Sequence, residues 1–508
     1  MDLKITNFDV TTEEVKLSQQ AEIPIDFDIS LSDYEPSIKK ILKCCAVSNI
    51  SLKQISGNCL NVEGTATLSV IYCDQDNLVF SVEKEIPFKK IFESSTPLDG
   101  GFPKVTSYIS VQSVKAMTEK RFSIKAQVTI EADVTAFNKT LVIADLDNDC
   151  FEQLSGTAKG VIPIGCAEKS FIIDEELVLD DGLEPIGKII SSNYNAYITE
   201  TKIISNKIVV KGILNICIFY RTNKNSFGNY KTQIPFNQIV DLNGTGENCS
   251  CDVWVDICSL NLTTRTSQNG ECKTVMLVAK ILATAKGFCE NEIPVIYDLY
   301  SKKFETEITK KEVLFNQIVH QSKESFICKK TIAFPENGIK EIINLWCEKS
   351  KCIPHFNNSG ITVSGTITVC AFYRDNEDEV GYFERIIDFE YPIETNSVLS
   401  APVCNPTAEI LNTDYALVGN GDVELSLELQ LSAAVYDSAT LSVICAVDAN
   451  ESKPISHSAS LVAYYAEKGE SVWKIAKSFL ADKESFLELN DIKEDTISAS
   501  KMLIIPRF

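Results

Sequence analysis

The sequence predicts a mainly β protein, with three tandem antiparallel β-sandwich repeats followed by a small β-α-α-β domain. Three observations favour this fold. Segments of alternating apolar and polar residues recur along most of the chain, a set of markers recurs three times, and only residues 461–508 show helical periodicity. The length of 508 residues exceeds what one hydrophobic core supports, so several domains are expected.

A glycine inside a strand-like segment marks each repeat. Gly64, Gly212 and Gly365 begin "GTATLSVIYC", "GILNICIFYR" and "GTITVCAFYR", and they are 148 and 153 residues apart. The upstream segments "IKKIL", "IGKII" and "IKEII" and the downstream segments "IPF", "IPF" and "IDF" keep the same two offsets. Three markers that share both offsets predict a tandem triplication. The glycine itself indicates a bulge or a close approach of the backbone.

The pattern within each repeat predicts short antiparallel strands. Apolar residues alternate from Phe122 to Val134 and from Val423 to Val435, which is typical of strands buried on one face against a second sheet. Polar turns such as "DQDN" and "DNEDE" separate the strands. The stretch "DANESKPISHSAS" is small and polar with a proline, so it predicts a linker. We expect an N-terminal segment (1–19), three repeats (20–160, 161–318, 319–447), a linker (448–460) and a C-terminal domain (461–508).

Charge limits the partners. Acidic residues outnumber basic residues by 70 to 48, for a net charge of −22, and this field repels nucleic-acid phosphates and anionic lipid. We therefore expect no nucleic-acid partner. No apolar run reaches the length of about 18 residues that a membrane span needs, and the opening residues lack a secretion signal. We expect no direct membrane insertion and a cytosolic protein.

The 18 cysteines fit that compartment. Many lie inside strand-like segments, as Cys217 and Cys370 do, where cysteine behaves as a small buried hydrophobic residue. We expect reduced, structural thiols. Oxidative cross-linking in an exposed protein shell is the alternative.

The repeat resembles the SPOCS domain of spore-coat proteins, whose pattern is I-x-x-I, V-x-G, a strand ending in an aromatic residue and tyrosine, and Pro-Phe. The matching residues of the first repeat are Ile38, Ile41, Val62, Gly64, Tyr72, Pro87 and Phe88, with counterparts in the other two. The third repeat departs from it, with Asp388 in place of the proline. The resemblance implies a structural or assembly module without enzymatic activity.

The C-terminal domain has its own pattern. Ser471 is suited to cap a helix whose apolar face includes Val472, Ile475 and Phe479. A second helix is expected from about Lys483 to Leu489, followed by the strand "MLIIPRF". Trp473 lies at a core spacing in the first helix, so we expect it in the core; stacking on a sugar is the alternative.

This domain resembles LysM, whose pattern is Y-x-V-x-x-G-D-T-L-W-x-I-A, then L-N, then L-x-I-P. The matches are Tyr464, Gly469, Ser471, Trp473, Ile475, Ala476, Phe479, Leu489, Asn490, Leu503, Ile505 and Pro506. The resemblance implies a β-α-α-β fold with a groove for N-acetylglucosamine polymers between two loops. The corresponding residues are Gly469, Glu470 and Ser471 in one loop and Leu489, Asn490, Asp491 and Ile492 in the other. Glu470 replaces the usual aspartate, and Ser500 replaces a usual glycine.

The sequence does not indicate an enzyme. The histidines are only His320, His355 and His457, and none lies in a zinc-protease motif. Cys352 and His355 lack a second metal-binding pair, and the cysteines near "CSC" lack standard zinc spacing. Nucleophile-elbow and phosphate-loop motifs are absent. We therefore expect no catalytic residues, no metal and no cofactor.

Three SPOCS-like repeats followed by LysM resemble the clostridial coat-morphogenesis family of SpoIVA-interacting proteins. The resemblance implies a scaffold in the mother-cell cytoplasm, at the forespore surface and in the spore coat. Its partners would be the coat-basement ATPase SpoIVA and other coat proteins. The alternative is a coat or cortex protein whose LysM domain binds peptidoglycan.

We expect the LysM domain to bind protein more tightly than glycan. Glu470 and Asp491 place carboxylates in both loops of the groove, where they suit basic groups on a protein and add nothing for a neutral sugar. Apolar residues should anchor such a contact, with Ile492 as the first candidate and Leu487 as the second. Ordinary core packing is the alternative for both.

Overall fold

The computed structural model describes residues 4–267, 270–333, 339–349, 352–357, 360–394, 399–418, 422–456 and 460–507. Its elements follow the predicted order, with long and short strands first and two helices only near the end. The first repeat contains β1 (Lys4–Ser30), β2 (Lys40–Ser56), β3 (Cys59–Cys73), β4 (Val79–Glu93), β5 (Phe102–Thr118) and β6 (Arg121–Asp147). The second contains β7 (Phe151–Val178), β8 (Ile186–Ile204), β9 (Lys207–Thr222), β10 (Phe227–Asp241), β11 (Cys249–Arg265) and β12 (Thr274–Ser301).

The third repeat has the same plan with shorter pieces. It contains β13 (Phe304–Ile332), β14 (Glu341–Lys349), β15 (Ile353–Asn357), β16 (Gly360–Arg374), β17 (Val380–Glu394), β18 (Pro402–Cys404), β19 (Thr407–Val418) and β20 (Asp422–Pro454). The C-terminal domain contains β21 (Leu461–Ala466), α1 (Val472–Phe479), α2 (Lys483–Leu489) and β22 (Lys501–Pro506).

Each repeat is a sandwich of two antiparallel sheets. One sheet, called the meander sheet here, has the order β2-β3-β4 in the first repeat, β8-β9-β10 in the second, and β14 or β15, β16 and β17 in the third. The other, called the hairpin sheet, has the orders β1-β6-β5, β7-β12-β11 and β13-β20 with β18 and β19. Both sheets contribute to one hydrophobic core in every repeat. The predicted β-sandwich fold is therefore confirmed.

The marker glycines occupy equivalent places in the three meander sheets. Each lies on the middle strand, opposite a phenylalanine of the last strand; the pairs are Gly64 and Phe88, Gly212 and Phe236, and Gly365 and Phe389. The last strand forms the edge of its meander sheet, where a missing N–H is tolerated. Pro87 and Pro235 therefore fit there, and Asp388 takes the same position in the third repeat without changing the register.

The alternating segments form the predicted buried faces. Every second residue from Phe122 to Val134 in β6 is buried, as is every second residue from Val423 to Val435 in β20. These two strands lie at the centres of their hairpin sheets. Their buried faces pack against the meander sheets, and together they form most of the two cores.

The meander sheets of all three repeats also meet in a second cluster, called the central cluster here. It includes Ile71 of the first repeat, Phe219 of the second, and Trp346 and Phe372 of the third. The Phe219 and Phe372 rings have centroids 5.8 Å apart, and those of Trp346 and Phe372 are 5.0 Å apart. The middle strands of these sheets are therefore buried on both faces, which ties the repeats to one another.

The paired long strands β1/β6, β7/β12 and β13/β20 continue beyond their sandwiches. Each pair shifts register near the point where it leaves its core, at Val15/Leu17, Gly287/Phe288 and Ile318/His320. Beyond these shifts the three pairs pack against each other through a further apolar cluster. Its buried members are Val10, Val142, Ala158, Ile293, Val295, Val313, Phe315 and Val443.

Two short segments have a different structure from the one that the sequence predicts. The limits of the domains remain predictions. Residues 4–19 belong to β1 instead of forming a separate N-terminal segment. Asp448 to Pro454, predicted as linker, form the end of β20, where Asp448, Ala449, Asn450 and Pro454 pair with the start of β13. The ladder of backbone hydrogen bonds to β13 offsets their weak strand propensity. Residues 457–459, including His457, lie outside the described residues.

The cysteine prediction needs one correction. Cys249 and Cys289 lie directly opposite each other on β11 and β12 and form a disulfide. Their pairing could not be predicted from the sequence because it depends on the register of the two strands. Other cysteines lie in the sheets as thiols, and burial raises the pKa values of Cys45 and Cys370 to about 12. Such thiols stay protonated and unreactive at neutral pH.

Candidate functional site

The C-terminal domain has the predicted β-α-α-β order. Ser471 caps α1 by accepting a hydrogen bond from the Lys474 amide, and Asp482 caps α2 by accepting one from the Ser485 amide. α1 buries the side chains of Val472, Trp473, Ile475 and Ala476. β21 and β22 pair antiparallel along their whole length, and the first candidate loop follows the end of β21.

The first candidate loop is stabilised by its own side chains. Gly469 has φ of +90°, and a Cβ there would have no heavy atom within 4 Å, so its backbone faces open space. The Glu470 carboxylate accepts hydrogen bonds from the Tyr464 hydroxyl (3.2 Å) and from the Glu467 amide (3.2 Å). Burial together with the Glu470 hydrogen bond raises the pKa of Tyr464. Glu470 therefore supports the loop as well as adding charge to it.

The second candidate loop is tied to β22 through Asn490. Its side-chain oxygen accepts from the Ile504 amide (2.7 Å), and its side-chain nitrogen donates to the carbonyls of Ile504 (2.6 Å) and Phe486 (2.8 Å). These bonds explain the asparagine of the LysM pattern as a structural residue. The flanking residues differ in exposure: Leu489 is 52% exposed and Asp491 is exposed, whereas Ile492 is half-buried.

Two apolar residues, Ile492 and Leu487, were expected to anchor a bound partner. Both contact the core of the domain. Ile492 and Leu487 are partly buried and pack against the cluster formed by α1, α2 and β22. A charge at either position would therefore disturb packing as well as any binding. Leu489 is the apolar residue of the second loop that is open to solvent.

An exposed apolar face next to this loop was missed by sequence reasoning. It consists of Leu461 and Tyr465 of β21 and Met502 and Ile504 of β22, all exposed. Tyr465 and Met502 are cross-strand partners, and Asn490 holds the Leu489 loop to Ile504. The signal was available in the sequence, since "LVAYYA" is apolar at alternate positions on both of its faces.

Trp473 is buried, in agreement with the core interpretation. It is 8% exposed, and its ring centroid lies 5.1 Å from that of Tyr300, which belongs to β12 of the second repeat. Its indole N–H donates to the Asp298 carboxylate at 2.9 Å. This tryptophan packs between two domains and does not offer a free face to a sugar.

The other candidate residues that the structure describes have structural contacts. His355 Nε2 lies 2.8 Å from the hydroxyl of Ser364, a diagonal neighbour on β16, and Cys249 is in the disulfide. Within the described ranges, no three histidine, cysteine or carboxylate side chains cluster in a way that could hold a metal ion. Across those same ranges, no helix is both long and apolar enough to cross a membrane.

Comparison with known families supports the SPOCS and LysM resemblances. The family model described as SipL, SPOCS domain, matches residues 37–119 and 185–264, and the LysM domain model matches residues 464–506. The first range runs from β2 to β5 and the second from β8 to β11, so each covers a meander sheet and the strand after it. No curated protein and no solved structure is similar enough to this chain to match it.

These domains indicate a sporulation-related protein with a module of the peptidoglycan-binding type. SPOCS and LysM are binding domains without catalytic residues of their own. The third repeat lies outside the matched ranges but shares the sheet order, the glycine and the phenylalanine of the other two. The chain therefore carries two matched SPOCS regions and a C-terminal LysM domain, the SipL-like combination that its sequence predicts.

Proposed function

We propose that this protein is a non-enzymatic scaffold of spore-coat assembly. It binds the coat-basement ATPase SpoIVA at the forespore surface, on the mother-cell side, and its LysM domain contributes to that contact. Other coat proteins are further partners. The SPOCS regions and the LysM domain support this proposal because they are binding modules found together.

The observation that carries the proposal is the exposed apolar face of the LysM domain. Its side chains, those of Leu461, Tyr465, Met502 and Ile504, are open to solvent, and so is Leu489 in the adjacent loop. Contiguous apolar surface is typical of protein-binding sites, and aromatic and aliphatic anchors provide most of the affinity in such contacts. A neutral sugar would need backbone donors and acceptors together with an apolar platform, which the two loops would provide.

Charge favours a basic partner surface. The repeats carry nearly all of the net charge of −22, since residues 461–508 contain eight acidic and seven basic residues. At the LysM loop itself, Asp491 adds an exposed carboxylate beside Leu489. An ion pair at such an exposed rim contributes only about 1 kcal/mol or less. Charge therefore increases the rate and selectivity of association, while the apolar face provides the affinity.

Peptidoglycan binding is the second candidate function. It is favoured by the open space above the Gly469 backbone, which leaves room for a sugar to reach the amides and carbonyls of the first loop. In that case the exposed apolar face would not be needed for binding.

Substituting Leu489 tests the protein-binding proposal. We expect Leu489→Glu in the full-length chain to weaken capture of purified SpoIVA about tenfold or more, since a desolvated apolar anchor would be lost. The matched control is Leu141→Glu, because Leu141 is 56% exposed on β6, outside the LysM domain. Circular dichroism should show both variants folded. Equal capture by Leu489→Glu and the parent chain would contradict a LysM contribution.

A further inference from the structure

The LysM domain contacts the second repeat through a compact set of polar bonds. The Asp298 carboxylate accepts from the Trp473 indole (2.9 Å) and from the Lys477 ammonium (2.7 Å). The Lys302 ammonium donates to Asp482 at 2.6 Å. On the side of the second repeat, Asp298 lies near the end of β12 and Lys302 directly follows that strand. The LysM residues lie on α1 and at the N-cap of α2.

Tyr300 is the apolar centre of this contact. It is 3% exposed, it packs against Trp473, and its hydroxyl donates to the Ala481 carbonyl at 2.6 Å. Tyr300 belongs to the second repeat, but it is part of the same buried cluster as Ile475 and Phe486 of the LysM domain. The hydrophobic core of the LysM domain is therefore completed by a residue from the second repeat.

The first and third repeats have strand ends that correspond to the contact region of the second repeat. Each pair of long strands (β1/β6, β7/β12 and β13/β20) also shifts register near the end that lies away from its sandwich. The shift leaves one residue unpaired: Ala144 in β6, Tyr297 in β12 and Cys445 in β20. The isoleucine just before it is buried in every case, as Ile143, Ile296 and Ile444. The three hairpin ends can therefore be compared residue by residue.

Only the second repeat carries all three contacting residue types at this end. The positions of Asp298, Tyr300 and Lys302 correspond to Asp145, Asp147 and Asp149 in the first repeat and to Ala446, Asp448 and Asn450 in the third. Asp149 in place of Lys302 would face Asp482 with a like charge, which is unfavourable. Asp147 and Asp448 in place of Tyr300 would provide no ring for Trp473.

We propose that the end of β12 is a specific intramolecular receptor that holds the LysM domain in one orientation on the second repeat. Two neighbouring strands support the receptor: Glu152 of β7 binds Lys302 at 3.0 Å, and Lys310 of β13 binds Asp298 at 3.2 Å. Asp298 and Asp482 are both ionised at neutral pH. Hydrogen bonds from lysines outweigh the effect of burial and lower the pKa values of these two carboxyl groups.

The receptor gives the LysM domain a fixed position. Trp473 contacts the receptor from α1. The candidate groove residues lie elsewhere, in the loop that ends at Ser471, the N-cap of α1, and in the loop that begins at Leu489, the last residue of α2. A ligand of the LysM domain and a ligand of the repeats would then meet surfaces that are already positioned, which reduces the entropy lost when both bind. This inference does not depend on the identity of the partner.

Hydrogen–deuterium exchange of the full-length chain tests the receptor. Lys477→Glu places two carboxylates against each other, so we expect the amides of α1 to exchange about tenfold faster or more, the size expected for losing a bond to a charged group. Adding Asp298→Asn removes the repulsion and keeps an acceptor for the Trp473 indole. We expect the double variant to recover most of the protection.

Asp145→Asn is the matched control, because this aspartate occupies the position of Asp298 in the first repeat and contacts Gln153. It should leave the exchange of α1 unchanged. Recovery by Asp298→Asn supports the receptor, since a change on the second repeat would correct a defect on the LysM domain. Unchanged exchange in Lys477→Glu would overturn it, as would an increase that Asp298→Asn does not reduce.

Discussion

Phe236 lies with its ring over Gly212, the residue opposite it across β9 and β10. A Cβ on Gly212 would be 2.2 Å from the ring atom Cζ of Phe236, closer than any side chain allows. The same distance is 2.4 Å for Gly64 and Phe88 and 2.5 Å for Gly365 and Phe389. The glycine and the phenylalanine of the repeat therefore form one packing unit, which explains why the two markers keep the same spacing.

Gly212→Ala is therefore expected to destabilise the second repeat. The added methyl group clashes with both the Phe236 ring and the Tyr197 carbonyl, and overpacking of this kind costs about 1–3 kcal/mol. Urea unfolding followed by circular dichroism measures the change. Gly182→Ala is the control, since no heavy atom lies within 4 Å of a Cβ at Gly182. Equal stability of the two variants would show that the ring does not need the glycine.

Phe372→Ala is expected to weaken the association of all three repeats. Phe372 is fully buried in the central cluster, in contact with Phe219 and Trp346, and removing a buried phenylalanine ring costs about 3–5 kcal/mol. Ile386→Ala, at a position 68% exposed, should change stability little. The free energy of unfolding in guanidinium chloride compares the two. A loss below about 1 kcal/mol for Phe372→Ala would argue against the central cluster as a stabilising element.

The bond between Lys302 and Asp482 should make LysM docking sensitive to acid. Burial opposes ionisation of Asp482, but hydrogen bonds from Lys302 and Ser485 outweigh it and lower the pKa to about 2. A carboxylate with a lowered pKa stabilises the folded state above its unfolded pKa of about 3.9, and this stabilisation is lost as the pH falls through the folded value.

Lys302→Met isolates this effect. The difference in unfolding free energy between the parent chain and Lys302→Met should be constant from about pH 8 to pH 5 and shrink between about pH 4 and pH 2. Denaturant titrations at each pH give this difference. A difference that persists unchanged at pH 2 would mean that Lys302 acts through packing alone.

Removing residues 461–508 should leave the repeats folded. Among the described residues, the cores of the three sandwiches contain none from the LysM domain, although Tyr300 and Leu154 lose their cover. We expect the truncated chain to keep its β circular dichroism spectrum and to lose its position at the forespore. Aggregation or loss of the spectrum would show that the repeats depend on the LysM domain for folding.

The features predicted from the sequence are those that depend on local residue patterns. Alternation predicted the sandwiches, and the spacing of Trp473 predicted its burial. The partner of Trp473 could not be predicted, because Asp298 lies 175 residues away along the chain and only the folded hairpin brings it close. The roles of Glu470 and Asn490 were equally hidden, since a polar residue in a loop gives no sign of whether it bonds to its own backbone or faces solvent.

We propose that the LysM domain of this protein binds a protein partner more tightly than it binds glycan. The most direct test measures the affinity of the full-length chain for purified SpoIVA and, under the same salt and pH, for N-acetylglucosamine oligomers by calorimetry. We predict clear binding of SpoIVA, weakened by Leu489→Glu, and glycan binding that is weaker than SpoIVA binding. Micromolar or tighter binding of the oligomers without retention of SpoIVA would contradict the account and favour the peptidoglycan function.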